Sequence, residues 1–313
     1  DIEMPRMDGL AALRAIMKTD PIPVMMVSSL TTDGASATLD ALEMGAVDFI
    51  PKQLSYVSLD IVKIKDDLTA KIKDIVRRKG VLMARARRAN FARLSDTRDS
   101  AGASRPSRRT GGPPAPLRPL RKRNHSVGII AIGSSTGGPP ALQAVIPRLP
   151  RNLPVGVVIA QHMPATFTQS LAERLNTLSQ VSVKEAADGD RIQPGTVLIA
   201  PGGRQMTVKR SSGGARTVIS DQPAEALYRP CVDVLMSSVA DSHGGATMGV
   251  ILTGMGNNGV IGLQTVKARG GVIIAQNEET CVVYGMPRAA IEAGVTDHIV
   301  SIDSVADEIM TYF

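Results

Sequence analysis

The first 79 residues alternate between helically spaced apolar positions and short apolar runs. After the opening DIEMPRMDGL, a helical pattern leads to the run PVMMVSS, which is typical of a buried strand. A second helical stretch, TLDALEMGA, precedes the short apolar run VDFI, which ends at Pro51 and Lys52. This repeated order of helix and strand predicts a parallel α/β sheet over residues 1–79.

The alternation returns from Val127 with longer apolar runs. SVGIIAIGSSTGG is an apolar strand followed by a glycine-rich turn, and prolines then open an amphipathic helix. PVGVVIAQHMP and GVILTGMGNNG are two further apolar strands that break into polar or glycine-rich turns. Strands that are apolar throughout are buried on both faces, so residues 127–313 are predicted to form a doubly wound, mostly parallel α/β domain.

Basic residues are concentrated between these two regions. Residues 77–124 contain fifteen Lys and Arg side chains against Asp96 and Asp99, a net charge of +13 in a chain whose total is +7. The segment is rich in Ser, Pro and Gly and has no apolar periodicity, which predicts a flexible linker over residues 80–126. It is either a solvated spacer or a linker that also touches an acidic surface. The rest of the chain is net acidic, which argues against nucleic-acid binding.

Composition restricts the location and the cofactors. The chain has no Trp, 3% aromatic residues and two distant cysteines without CxxC spacing, so aliphatic cores and a reducing cytoplasm are expected. No apolar run of about 18 residues and no signal peptide is present, so we expect a cytoplasmic protein without membrane insertion. The four histidines show no metal-ligand spacing, and no metal site is predicted from them.

The turn GSSTGG has three interpretations. It lacks the spacing of a nucleotide-binding loop, although a nucleotide-binding doubly wound domain stays open as an alternative. It fits G-x-S-x-G in a strand-turn-helix context, which would make Ser135 an exposed nucleophile, with the Thr136 amide and the helix N-terminus facing an oxyanion. It is also compatible with a simple tight turn.

Two further strand ends offer partners for Ser135. Among the histidines, only His162 directly ends a long apolar strand, so it is the candidate base, although a lone histidine is often structural. A histidine base needs an acceptor on Nδ1, and the third strand end offers Asn258. Asn258 is equally compatible with an Asn-Gly turn and with a helix N-cap.

Polar residues also end the predicted strands of the N-terminal region. A carboxylate at Asp1 could accept a phosphoryl group, whose oxygens Ser28 and Lys52 could bind, although each alone is compatible with an ordinary surface role. Together they resemble the receiver domain of two-component response regulators, a flavodoxin-like fold. The resemblance implies phosphorylation at Asp1, a switch hydroxyl at Ser28 and the family's lysine at Lys52.

The resemblance starts partway into a receiver. Such domains begin about fifty residues earlier, with strands and an acidic pair that holds a divalent cation, Mg²⁺ in the family. The sequence therefore predicts a truncated receiver, and by itself supports neither metal binding nor phosphorylation at Asp1. A receiver with unpaired sheet edges is also not expected to dock on its neighbour in one geometry.

The C-terminal region resembles the CheB-type chemotaxis protein-glutamate methylesterases. The resemblance is carried by AIGSSTGG, VVIAQHMP, DGDRIQPGTVLIAPGG, YRPCVDVL, GVILTGMGNNG and GGVIIAQNEETCVVYGMP. It implies a Ser135 nucleophile, a His162 base, Met255 lining the site, and Asn258 in the position of the family's catalytic Asp. Gln205 stands where the family has a histidine, a departure expected to alter substrate contacts.

The family resemblance also implies partners. Its members hydrolyse glutamate methyl esters on chemoreceptors, and many deamidate receptor glutamines, without a cofactor for the ester chemistry. A chemotaxis histidine kinase phosphorylates the receiver, which relieves its blockage of the active site. An alternative is a receptor-binding protein with weakened catalysis, because Asn258 replaces the catalytic Asp.

Overall fold

Two parallel sheets organise the chain, one in each predicted α/β region. The computed structural model describes residues 1–52, 60–77, 80 and 126–313. The described helices are α1 (Gly9–Thr19), α2 (Thr32–Glu43), α3 (Asp60–Arg77), α4 (Gly138–Val145), α5 (Ala165–Leu178), α6 (Val232–His243), α7 (Val260–Ala268), α8 (Met286–Glu292) and α9 (Val305–Met310). The described strands are β1 (Met25–Ser28), β2 (Asp48–Pro51), β3 (Ile129–Ser134), β4 (Gly156–Gln161), β5 (Ser182–Glu185), β6 (Thr196–Ile199), β7 (Gln205–Ser211), β8 (Gly214–Ser220), β9 (Thr247–Ile251), β10 (Val272–Gln276) and β11 (His298–Val300).

The N-terminal sheet contains β1 and β2, which pair in parallel. The predicted helices and strands of this region are present, and α1 and α2 each begin at a polar cap. Asp8 accepts a hydrogen bond from the Ala11 amide at the start of α1, and Thr31 accepts one from the Gly34 amide at the start of α2. Such caps satisfy amides that have no partner within the helix, so the helix boundaries follow from the local sequence.

The C-terminal sheet has seven parallel strands in the order β11-β10-β9-β3-β4-β6-β5. Every residue of β3, β4, β9 and β10 is buried, as expected for strands covered by helices on both faces. The chain runs from β3 outward to β4 and later returns to place β9 on the other side of β3. In such sheets ligands bind where the strand order reverses, at the carboxyl ends of the strands.

The N-terminal region docks on the C-terminal domain, contrary to the sequence-based expectation. Phe49 of β2 stacks on Phe167 of α5 with ring centroids 4.5 Å apart. Arg174 of α5 forms ion pairs with Asp40 and Glu43 of α2. The contact face includes α2, β2 and Ile75 of α3, so it does not depend on strand pairing at the sheet edges.

The predicted linker, residues 80–126, lies almost entirely outside the described residues, and the domain boundaries stay a prediction. No helix within the described ranges is both long and apolar enough to span a membrane.

Candidate active site

Three adjacent strand ends meet at the carboxyl edge of the large sheet. Ser135 follows β3, His162 follows β4, and Thr253 follows β9. The Ser135 amide donates to the Thr253 carbonyl over 3.0 Å, and the His162 amide donates to the Ser134 carbonyl over 3.0 Å. Ser135 and His162 line one cavity of about 80 Å³. The fold therefore brings together the two side chains that the sequence singled out.

Close packing forces the sharp turn that carries Ser135. Gly137 has a φ of +75°, a conformation that favours glycine. A Cβ at Gly138 would lie 1.9 Å from Oε1 of Gln161, so a side chain there is excluded. The turn follows a buried strand and leads directly into α4, the context of a nucleophile elbow.

The first turn of α4 leaves few amides for an anion. Pro139 and Pro140 have no N–H group, and the Gly138 amide already donates to the Ser135 carbonyl over 2.7 Å. Among the described residues the Thr136 amide has no hydrogen-bond acceptor. Hydrogen bonding to an oxyanion is therefore left to amides of the turn before α4, that of Thr136 among them, while α4 contributes its dipole.

The Gln161 side chain holds the turn in place through hydrogen bonds, a role that was not predicted from the sequence. Its Oε1 accepts from Ser134 Oγ over 2.6 Å, and its Nε2 donates to the carbonyls of Ser135 and His162 over 2.9 and 3.1 Å. The side chain is fully buried, and every one of its polar atoms is paired. Its position, directly before His162 at the end of a buried strand, was the available signal.

A hydrogen bond at one nitrogen and a stacking contact on one face fix the orientation of the His162 ring. Nε2 lies 2.9 Å from Asn258 Oδ1, and the ring stacks on Tyr228 with centroids 4.2 Å apart. An amide oxygen only accepts, so Nε2 carries the proton and Nδ1 is the nitrogen with a free lone pair. This reverses the expectation that Nδ1 would face the acceptor. Tyr228 was also missed, since it comes from a distant loop.

His162 is held in its neutral form. Burial lowers its pKa from 6.5 to about 4, the hydrogen bond with Asn258 acts in the opposite direction, and the Lys71 ammonium lowers the pKa further. A neutral imidazole is the form that can take a proton from a serine hydroxyl.

Asn258 contacts protein groups at both ends of its amide. Oδ1 also accepts from the Val232 amide over 2.8 Å, while Nδ2 donates to Asp233 Oδ2 over 2.6 Å and contacts Cys231 Sγ at 3.2 Å. Asn258 does not cap α7, whose N-cap is Gly259 with no side-chain hydrogen bond. The interpretation of Asn258 as a helix cap is therefore wrong.

Gln205 and Met255 occupy different surroundings. Gln205 is fully buried, where its Nε2 donates to the Tyr228 carbonyl and its Oε1 accepts from the Cys231 amide, both over 2.8 Å. It therefore stabilises the loop that carries Tyr228, and its effect on substrate contacts stays a prediction. Met255 is half-buried and packs against the small cluster of Val47, Ile75 and Val283 at the contact with the N-terminal region.

The N-terminal region covers the cavity. Asp48 at the start of β2 accepts hydrogen bonds from Thr136 Oγ1 at 3.0 Å and from Lys71 Nζ at 2.7 Å. Asp48, Phe49 and Lys71 all line the cavity that contains Ser135. A volume of about 80 Å³ has room for a few water molecules but not for a protein substrate.

Two of the three predicted receiver residues lie together. Lys52 Nζ is 2.8 Å from Asp1 Oδ2, in an ion pair that is partly exposed. Ser28 is buried, and its hydroxyl donates to the Gly34 carbonyl over 3.0 Å instead of facing Asp1. The part of the chain that is described has no group of three His, Cys, Asp or Glu that could hold a metal ion. The residues present around Asp1 therefore do not fit a Mg²⁺ site.

Comparisons with known proteins match both regions. Residues 130–309 match the CheB methylesterase family, and residues 1–61 match the response regulator receiver domain. A protein-glutamate methylesterase/protein-glutamine glutaminase 1 of Oleidesulfovibrio alaskensis is 51% identical, over 99% of this chain and 84% of the relative. A second relative with this type of name, from Nitratidesulfovibrio vulgaris, is 50% identical over the same shares of the two chains. The crystal structure of the Thermotoga maritima CheB methylesterase catalytic domain is 41% identical, with a TM-score of 0.59, and covers 60% of this chain and 100% of its own.

Proposed function

The chain belongs to the CheB methylesterase family, a family of hydrolases, and on that premise we propose that it demethylates chemoreceptors with Ser135 as the nucleophile and His162 as the base. Its substrates are glutamate methyl esters, and glutamine side chains by the same chemistry. The observation that carries the proposal is the shared cavity of Ser135 and neutral His162 at the reversal point of the sheet.

The reaction proceeds through an acyl-enzyme. Ser135 Oγ attacks the ester carbonyl carbon while its proton passes to Nδ1 of His162, and the Thr136 amide donates to the developing oxyanion. Collapse breaks the C–O bond to the methoxy group, which leaves as methanol with the proton from His162. Water then attacks the acyl-serine by the same steps and releases glutamate. With glutamine, the C–N bond breaks and ammonia leaves.

Asn258 limits this chemistry without preventing it. Its oxygen orients the His162 ring, but its amide carries no negative charge to stabilise the imidazolium. Replacing the corresponding Asp by Asn in a serine protease costs about 10⁴ in kcat. We therefore expect slow hydrolysis. The same observation favours a second candidate function, a receptor-binding protein with weakened catalysis.

The N-terminal region regulates access to Ser135. The proposal is supported by the hydrogen bond between Asp48 and Thr136 and by the small covered cavity. Strand β2 links the two ends of this region, because Asp48 begins the strand and Lys52 directly follows it. A phosphoryl group on Asp1 would compete for the Lys52 ammonium, shift the end of β2, and so loosen the cover over Ser135. The histidine kinase of the same signalling system is the proposed phosphodonor.

Methanol release from a methylated chemoreceptor fragment tests the proposal directly. The unmodified chain should release methanol, and Ser135→Ala and His162→Ala should each abolish most of the release because the two residues act as a unit. Ser211→Ala, which changes an exposed serine of the β7–β8 hairpin, is the matched control and should leave the rate unchanged. Receptor binding without any methanol release from the unmodified chain would favour the second candidate function instead.

A further inference from the structure

We propose that Asp233 is a positioning residue for His162, acting through Asn258 and thereby supplying the carboxylate that the site otherwise lacks. The inference rests on the proposed serine hydrolase function. The residues form a continuous chain from the base to a carboxylate, His162 to Asn258 to Asp233, with hydrogen-bond lengths of 2.9 and 2.6 Å.

The orientation of the Asn258 amide is fixed by independent contacts. A backbone N–H, that of Val232, points at Oδ1 from 2.8 Å, and a carboxylate, that of Asp233, lies 2.6 Å from Nδ2. Rotating the amide by half a turn would set two donors against each other at Val232 and two acceptors against each other at Asp233. Only the observed orientation satisfies both neighbours.

This orientation sets the tautomer of the base. With Oδ1 toward the ring, Nε2 of His162 must donate, and Nδ1 is left to take the serine proton. With Nδ2 toward the ring, Nε2 would have to accept, and Nδ1 would carry the proton that blocks it as a base. Asp233, together with the Val232 amide, therefore determines which ring nitrogen is able to react, although it does not touch the ring.

The Asp233 carboxylate is itself held in place. Its Oδ1 accepts from the amides of Gly259 and Gly262 over 2.9 and 3.0 Å, and its Oδ2 faces Asn258. Asp233 lies in the first turn of α6, where the helix dipole favours a negative charge. No lysine or arginine of the described ranges forms an ion pair with it. Its negative charge therefore polarises the Asn258 amide and, through it, the ring of His162.

Asp233→Asn separates this role from simple loop stabilisation. The new side chain can keep its oxygen on the Gly259 and Gly262 amides, but it presents an NH₂ group to Asn258 Nδ2. In either orientation the Asn258 amide then opposes one donor, the new NH₂ group at position 233 as it stands or the Val232 amide when turned. The observed orientation loses its preference, and a population of His162 with the proton on Nδ1 should appear. We expect kcat to fall about 10²-fold with little change in KM, less than the 10⁴-fold loss seen when a protease loses its orienting Asp.

A second background makes the test a thermodynamic cycle. In Asn258→Asp, a carboxylate faces His162 directly, and either of its oxygens can only accept a hydrogen bond from the ring. Asp233→Asn in that background should cost less than about tenfold in kcat, because Asn at 233 can donate to the carboxylate at 258. A purely structural role for Asp233 predicts the same loss in both backgrounds, and that result would overturn the proposal.

The tautomer is read directly by nitrogen NMR of histidine-labelled protein, in which only four histidines contribute signals. The unmodified chain should show His162 protonated on Nε2, and Asp233→Asn should show an additional population protonated on Nδ1. Asp241→Asn is the matched control, since it changes an exposed aspartate on the same helix. An unchanged tautomer in folded Asp233→Asn would refute the inference even if activity fell. The NMR result does not need turnover, so it distinguishes failure of this inference from failure of the proposed function.

Discussion

Removing the Arg174 side chain should open the cover over Ser135. Arg174 lies on α5 of the C-terminal domain and reaches across to Asp40 at 2.6 Å and to both carboxylate oxygens of Glu43. These charge-assisted bonds raise the pKa of Arg174 above its ordinary value, with the Glu43 contact as the largest cause. Arg174→Ala removes them without altering a residue of the N-terminal region, so the fold of that region is not directly perturbed.

The size of the effect follows from the contact geometry. Exposed ion pairs contribute about 0.2–1 kcal/mol each, and a bidentate arginine pair more. The Arg174 side chain is only 25% exposed, which places it toward the upper end of that range. A loss of about 1–2 kcal/mol raises the ratio of open to covered protein by roughly 5- to 30-fold. If the covered form dominates and cannot bind a receptor, the rate of methanol release rises by the same factor.

The assay compares initial rates of methanol release at low receptor concentration. The upper limit is given by deletion of residues 1–124, which leaves the seven-stranded sheet and its core intact. Arg148→Ala is the matched control, because Arg148 pairs with Asp307 within the C-terminal domain. Equal rates for the unmodified chain, Arg174→Ala and the deletion would refute the reasoning that the N-terminal region covers the site. A large gain on deletion with none for Arg174→Ala would show that contacts other than the Arg174 ion pairs, such as the Phe49–Phe167 stack, hold the docked region.

Three further predictions concern the charges of the site. Burial and the nearby Lys71 both lower the pKa of His162, so this pKa should be near 4 in the full chain and closer to 6.5 after deletion of residues 1–124. NMR of the His162 ring measures both values. Identical values would show that the N-terminal region does not influence the base. The pKa of His162 is lower in the folded chain than in the unfolded chain, so the free energy of unfolding should decrease as pH falls from 6.5 to about 4, by at most about 3 kcal/mol. Denaturant titrations over this pH range should show the decrease in the full chain and a smaller one in His162→Gln. Asn258→Asp should raise kcat about 10²-fold by adding a negative charge beside His162. The new carboxylate would also lie near Asp233, whose Oδ2 is 2.6 Å from the present amide nitrogen, so the variant should lose thermal stability as pH rises. An unchanged kcat would mean that Asn258 is not the group that orients the base.

The local sequence determined the strands and the placement of the candidate residues. Four or five consecutive apolar residues with helices between them specify parallel strands, and parallel strands carry their C-terminal residues to one edge. For this reason the positions of Ser135 and His162 at the end of β3 and β4 could be predicted without coordinates. The glycines of the turn added a second local constraint, because Gly138 leaves no room for a Cβ beside Gln161.

The tertiary structure decided which atoms of those residues face each other. Whether Nδ1 or Nε2 of His162 meets Asn258 depends on side-chain torsions and on Asp233, which lies 25 residues before Asn258 in the chain. The docking of the N-terminal region likewise depends on Phe49 meeting Phe167 and on Arg174 meeting α2, contacts that join separate packing faces. Hydrophobic periodicity reports which face of an element is buried. It carries no information about which partner covers that face or in which rotamer a polar side chain meets its acceptor, because both are fixed only when distant segments pack together.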